Sequence, residues 1–80
     1  MAERVTLDVR ALKCPLPILR ARKAMRPLAA GDVLVVLATD PGAPADFAAF
    51  CAMTGDRLIG INEQNGILTI EIERAGGTGA

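Results

Sequence analysis

Histidine, tryptophan and tyrosine are all missing from these 80 residues, and phenylalanine occurs only twice. Without histidine the chain lacks the usual general base and the commonest metal ligand. Without tryptophan or tyrosine it has few side chains on which a nucleic-acid base can stack. Two cysteines allow one disulfide at most, so the chain is not a disulfide-stapled mini-protein, and without histidine they make a poor zinc site. No apolar run approaches the roughly 20 residues that span a bilayer. The opening Met1-Ala2-Glu3-Arg4 lacks the basic and apolar regions of a signal peptide. These absences predict no membrane association, no metal, and a reducing cytoplasm in which both thiols are free.

What is present is a high apolar content, 51%, and a net charge of zero that is unevenly spread. Eighty residues make a single domain, expected here over residues 1–74, and a chain this short buries only about 60% of the surface its unfolded form exposes. The first third carries seven cations (Arg4, Arg10, Lys13, Arg20, Arg22, Lys23, Arg26) against two anions (Glu3, Asp8), and the remainder carries two cations against seven anions. This polarity predicts a basic face suited to an acidic partner.

Val5, Leu7 and Val9 alternate with Thr6 and Asp8, which predicts a half-buried strand. The segment Pro15–Pro27 reads as a helix, and on its wheel Ile18, Ala21, Ala24, Met25 and the following Leu28 share one face. The run Val33–Ala38 is continuously apolar, as a central strand requires. Asp40-Pro41-Gly42 marks a turn, with Pro44 opening a second helix whose stripe is Phe47, Phe50, Cys51 and Thr54, and Gly55 closing it. Two further strands, Arg57–Glu63 and Ile67–Glu73, meet at Asn65-Gly66, a strong hairpin signal. The Gly-rich residues 75–80 are expected to be a disordered tail. The order βαβαββ predicts an α+β fold: a two-layer α/β sandwich with a mixed four-stranded sheet and both helices on one face.

The chemistry concentrates at Cys14-Pro15-Leu16-Pro17. Prolines are tolerated in a first helical turn, where the backbone N–H groups have no helical partner. The residue before a proline is pushed into an extended conformation, which suits a helix N-cap. The spacing therefore predicts a thiol at the positive end of a helix, with Arg10 and Lys13 just upstream. Leu16 also precedes a proline, so the helix begins either there or at Pro17. A helix start and neighbouring cations favour thiolate over thiol and would depress the cysteine pKa. From chemistry alone this is a reactive thiol, and the field that favours a thiolate also favours a persulfide anion.

With Leu7-Asp8, Leu12, Cys14-Pro15-Leu16-Pro17, the basic helix, Gly31-Asp32, Asp40-Pro41, Phe50-Cys51 and the final hairpin in place, the sequence resembles the TusA/SirA-like sulfur-carrier family over roughly residues 5–74. The resemblance implies a cytoplasmic carrier that takes persulfide sulfur on Cys14 from a donor protein, a cysteine desulfurase or a rhodanese, and passes it to an acceptor protein. The only prosthetic species implied is the transient cysteine persulfide itself. End uses in the family include tRNA thiolation, molybdenum-cofactor enzymes and sulfur oxidation. Family members commonly have glycine at the position of Ala11 and often histidine near Asp56.

The remaining candidates divide between structure and recognition. Cys51 lies on the buried stripe of the second helix and is read as structural, the alternative being a resolving thiol for Cys14. Arg20, Arg22, Lys23 and Arg26 form a charged helix face among which Leu16 and Leu19 stand, a pattern suited to partner docking with an apolar centre and a basic rim. Direct nucleic-acid binding is not expected, because Phe47 and Phe50 belong to the core. Asp8 and Asp40 fall at strand ends, where they orient loops. A second reading stays open: a regulatory module that docks through its basic helix, with Cys14 structural or redox-sensing.

Overall fold

The computed structural model describes residues 3–75. Its elements run β1 (Arg4–Val9), α1 (Leu16–Met25), β2 (Val33–Ala38), α2 (Ala43–Thr54), β3 (Arg57–Gln64) and β4 (Ile67–Glu73). The strands form one sheet in the order β1-β2-β4-β3. β1 is parallel to β2, while β2 pairs with β4 and β4 with β3 antiparallel, so the sheet is mixed as predicted. Both helices pack on one face of it, with α1 over β1 and β2 and α2 over β4 and β3. The α+β two-layer sandwich expected from the pattern is the fold observed.

Register explains which residues enter the core. The rows Leu7–Val36–Ile70 and Val9–Ala38–Leu68 run across the sheet on the helix-bearing side. Leu34, Val36, Ile70 and Ile72 are fully buried there beneath Ala21, Met25 and Phe47. Each such aliphatic side chain removed from water stabilises the fold by about 1.5–3 kcal/mol. The Phe47 and Phe50 rings meet edge-to-face with centroids 6.2 Å apart, close to the favoured geometry for aromatic pairs. The other sheet face carries Thr6, Thr69 and the surface pairs Arg4–Glu71 and Arg57–Glu73. Such exposed pairs contribute little stability.

Several local details differ from expectation. Pro44 is the second residue of α2 rather than the first, because the helix opens at Ala43 with Gly42 as its cap. Thr54 is exposed instead of completing the buried stripe. Gly55 adopts φ 83 and stops the helix there, and the Thr54 hydroxyl turns to donate to Asp56 Oδ2 at 2.9 Å. Val5 remains 36% exposed, since β1 is an edge strand. The hairpin forms as predicted, with Asn65 and Gly66 both at positive φ (54 and 79), the signature of a type I′ turn.

Two buried carboxylates tie the chain ends to the body. Asp32 accepts the N–H groups of Glu3 (2.9 Å) and Ala29 (2.9 Å), fixing the start of β1 against the turn before β2. These bonds hold its carboxyl below the ordinary carboxylate range. Asp56 accepts the Ala75 N–H at 2.8 Å, so the first residue of the expected tail is held in place, and residues 76–80 lie outside the described residues. No helix among the described residues is long and apolar enough to cross a membrane.

Candidate functional site

Because β1 and β2 are parallel neighbours, the loops that leave their C-terminal ends lie side by side. That is where a parallel strand pair builds its sites. The first loop carries Arg10 to Pro15, and the second carries Thr39 to Gly42. Two contacts lace them together: Thr39 Oγ1 accepts the Ala11 N–H (2.9 Å) and Asp40 Oδ2 accepts the Cys14 N–H (3.0 Å), while Asp40 Oδ1 accepts the Gly42 N–H (3.1 Å) within the second loop. Asp40 thus orients the cysteine loop, as its place at a strand end suggested. These N–H donors, Gly42 first, with help from the charge of Lys13, hold its carboxyl below the ordinary range.

Cys14 is an exposed, free thiol on this ledge. It stands one residue ahead of the position predicted for it. The N-cap of α1 is Pro15, the helix starts at Leu16, and Pro17 is buried within the first turn. The Leu16 N–H is taken by the Lys13 carbonyl at 2.8 Å, and this turn lifts Cys14 out of the helix. The Cys14–Pro15 peptide bond is cis.

The electrostatics reverse the sequence-based expectation. The Cys14 thiol is pushed up, not down, first by the Asp46 carboxylate, then by partial desolvation and the charge of Asp40. Arg10 does not offset this, because its guanidinium grips Asp8 in two bonds, Nε to Oδ1 at 2.9 Å and Nη2 to Oδ2 at 2.8 Å. That pairing draws the Asp8 carboxyl down to about 2. Lys13 faces Asp40. Adjacency in the chain therefore overstated the cationic character of the sulfur's surroundings, and Asp46, from the first turn of α2, was missed by the sequence reading. The available signal was positional: an acid in the first turn after the β2 loop must lie next to the loop after β1 when the two strands are parallel.

Ala11 takes the left-handed conformation, φ 69, that glycine would adopt freely. Ala11 therefore carries the strain of a conformation that L side chains rarely adopt. Substituting Ala11→Gly is expected to stabilise the protein by about 0.5–1 kcal/mol, the strain relieved less the added freedom of the unfolded glycine. In a thermal melt this raises Tm by roughly 3–6 °C. An unchanged or lower Tm would show that the Ala11 methyl group contributes packing that outweighs its strain.

The predicted docking residues are where a partner can reach them. Leu16 is 43% and Leu19 51% exposed on α1, and Arg20, Arg22, Lys23 and Arg26 are exposed alongside. Among the described residues none of these four cations enters a salt bridge. Cys51 is the opposite case: it is 5% exposed within the core, and burial pushes its thiol up. Concavities of about 290 Å³ beside Pro41 and Pro44, and about 220 Å³ on the open sheet face, are not lined by Cys14. Among the described residues no group of three or more Cys, Asp or Glu side chains converges as metal ligands do.

This small sandwich lifts one free thiol onto an open ledge, with an apolar and basic surface next to it. Residues 5–74 match the family described as Sulfurtransferase TusA, and the chain belongs to that family of sulfur carriers. It is 59% identical to a putative sulfur carrier protein of Neisseria meningitidis serogroup A over 68 residues, covering 85% of this chain and 92% of the relative. It is 50% identical to the sulfur carrier protein TusA of Allochromatium vinosum over 60 residues, 75% of this chain and 79% of that one. Among solved structures, a SirA-like protein from Desulfitobacterium hafniense superposes with a TM-score of 0.79 at 27% identity, covering 89% of this chain and 97% of that chain.

Proposed function

We propose that Cys14 receives sulfane sulfur from a persulfide-bearing donor protein, a cysteine desulfurase or a rhodanese, holds it as a cysteine persulfide, and yields it to an acceptor protein. The relay is of the kind that supplies tRNA thiolation, molybdenum-cofactor enzymes or sulfur oxidation in a reducing cytoplasm. The observation that carries this reading is the exposed thiol of Cys14 on the ledge between two braced loops, in a chain whose family is a sulfur-carrier family. Arg10 and Pro17 serve the site by fixing loop and helix start, Lys13 through its charge beside Asp40, and Pro15 as the α1 cap. Leu16 and Leu19 supply an apolar docking centre, and Arg20, Arg22, Lys23 and Arg26 a basic rim that selects acidic partners.

The test is to incubate the protein with a cysteine desulfurase, cysteine and the pyridoxal cofactor, then record its intact mass and map the modified peptide. A gain of one sulfur atom on the peptide containing Cys14 is expected. No gain, or a gain on Cys51, overturns the reading.

A further inference from the structure

The concavity of about 290 Å³ beside Pro41 and Pro44 opens at the same end of the sheet as Cys14. Val9, Ala38 and Leu68 stand in one row across β1, β2 and β4. The cysteine loop after β1, the Thr39–Gly42 loop after β2 and the β3–β4 hairpin therefore all leave the sheet at that end. Glu3 lies at the other end, where its carbonyl accepts the Val33 N–H. The groove and the thiol also share a wall. Thr39 and Pro41 line the groove, while Thr39 accepts the Ala11 N–H and Asp40, between them, accepts the Cys14 N–H. A standard protein interface takes roughly 800 Å² from each partner, and this whole molecule exposes only 4817 Å². A protein that brings a sulfur atom to Cys14 thus covers the groove as well.

The lining states what would fit. Leu68, 8% exposed, is its most buried residue, and Pro41 and Pro44 are rigid apolar walls. Register sets Glu63 directly across from Leu68, with Cβ atoms about 5 Å apart. Glu63 is exposed and, among the described residues, enters no salt bridge. No buried polar side-chain atom among the described residues lacks a partner, so the groove has no fixed polar anchor of the kind that orients a free small ligand. An apolar floor beside one unpaired acid suits a chain segment that carries an aliphatic side chain next to a lysine or arginine.

We infer that this groove is a second docking point for the sulfur donor protein, receiving an extended segment whose aliphatic residue covers Leu68 and whose adjacent Lys or Arg pairs with Glu63. The inference rests on the carrier reading above. The donor then meets two patches of opposite sign, the basic face of α1 and the acidic groove, with Cys14 at the end of α1 nearest the groove. Opposite signs favour one orientation of the donor and penalise its reverse.

The test follows initial sulfur loading by intact mass across a range of carrier concentrations. One arm uses a cysteine desulfurase with cysteine and the pyridoxal cofactor, and the other uses glutathione persulfide, which needs no docking. Both run at an ionic strength of about 0.15 M, which screens distant charges. In the desulfurase arm Glu63→Lys should raise KM about tenfold and leave kcat within about twofold, since a like charge now meets the donor's cation. Glu63→Gln should raise KM less. Loading of both variants from glutathione persulfide should match the parent. Glu3→Lys makes the same charge change at the far end of the sheet and should match the parent in both arms. A melt of each variant confirms the fold.

An unchanged KM in Glu63→Lys overturns the groove as a docking point. So does a loss of equal size in both arms, which places the effect at the thiol, or an equal rise in Glu3→Lys, which reduces it to net charge. A parent chain that takes no sulfur in either arm overturns the carrier reading, and with it the donor as occupant.

Discussion

Cys14→Ala is expected to take up no sulfur while losing almost none of its stability. The thiol is exposed and contributes little to the packed interior, and surface substitutions of this kind shift stability by about 0.5 kcal/mol or less. The loop that carries it does not depend on the sulfur, because its anchors are backbone N–H groups received by Asp40 and Thr39. Function and fold are therefore separable at this position, which is uncommon in so small a domain. The informative partner variant is Cys51→Ala. It removes a thiol from the core at 5% exposure, so it should lower Tm yet load sulfur at the parent rate. If Cys14→Ala still gained a sulfur atom, the carrying residue would have to be Cys51, reached through opening of the core, and the site described above would be wrong.

Phe47→Ala should have the opposite profile. The Phe47 side chain is fully buried at the centre of the helix–sheet interface and in edge-to-face contact with Phe50. Truncation removes the apolar area and leaves a cavity that the sheet below cannot fill, a loss of about 3–5 kcal/mol. A domain of this size has a total stability of only about 4–12 kcal/mol, so the variant should be marginally folded at room temperature, with Tm lowered by more than roughly 12 °C. Urea denaturation followed by circular dichroism measures the change as a displaced midpoint with little change in slope. Met53→Ala on the same helix is the control: Met53 is 81% exposed and its removal should leave the midpoint in place. A small effect at Phe47 would mean that α2 can settle onto the sheet without its aromatic anchor.

The same two residues show what the sequence made legible. Phe47 and the strand rows beneath it follow from periodicity, since spacing of apolar residues reports burial directly, and every element was found within a residue or two of its observed limits. Cys14 was legible because two prolines constrain the backbone around it. What escaped was the environment of the sulfur. Arg10 and Lys13 are close to Cys14 in the chain, yet one is committed to Asp8 and the other acts by its charge on Asp40, whereas the acids that push the thiol up, Asp46 and Asp40, belong to elements further along the chain. Charge effects depend on distances in space set by the parallel pairing of β1 and β2, and no local pattern encodes those. Thr54 was misplaced for a related reason: its spacing matched the buried stripe, but the glycine that follows ends the helix and leaves the hydroxyl to bind Asp56.

The double grip of Asp40 has a consequence for how this protein meets its partners. One side chain clamps the loop bearing the thiol to the loop leading into α2, so the two loops keep a fixed relation before any partner arrives. A carrier must associate and dissociate with at least two proteins in turn, and each encounter is weakened by whatever the surface loses in freedom on docking. A ledge already set in its working shape loses little. In the relay proposed above, brief, low-affinity contacts would then suffice, and the same preset tip would serve donor and acceptor alike without being remodelled by either.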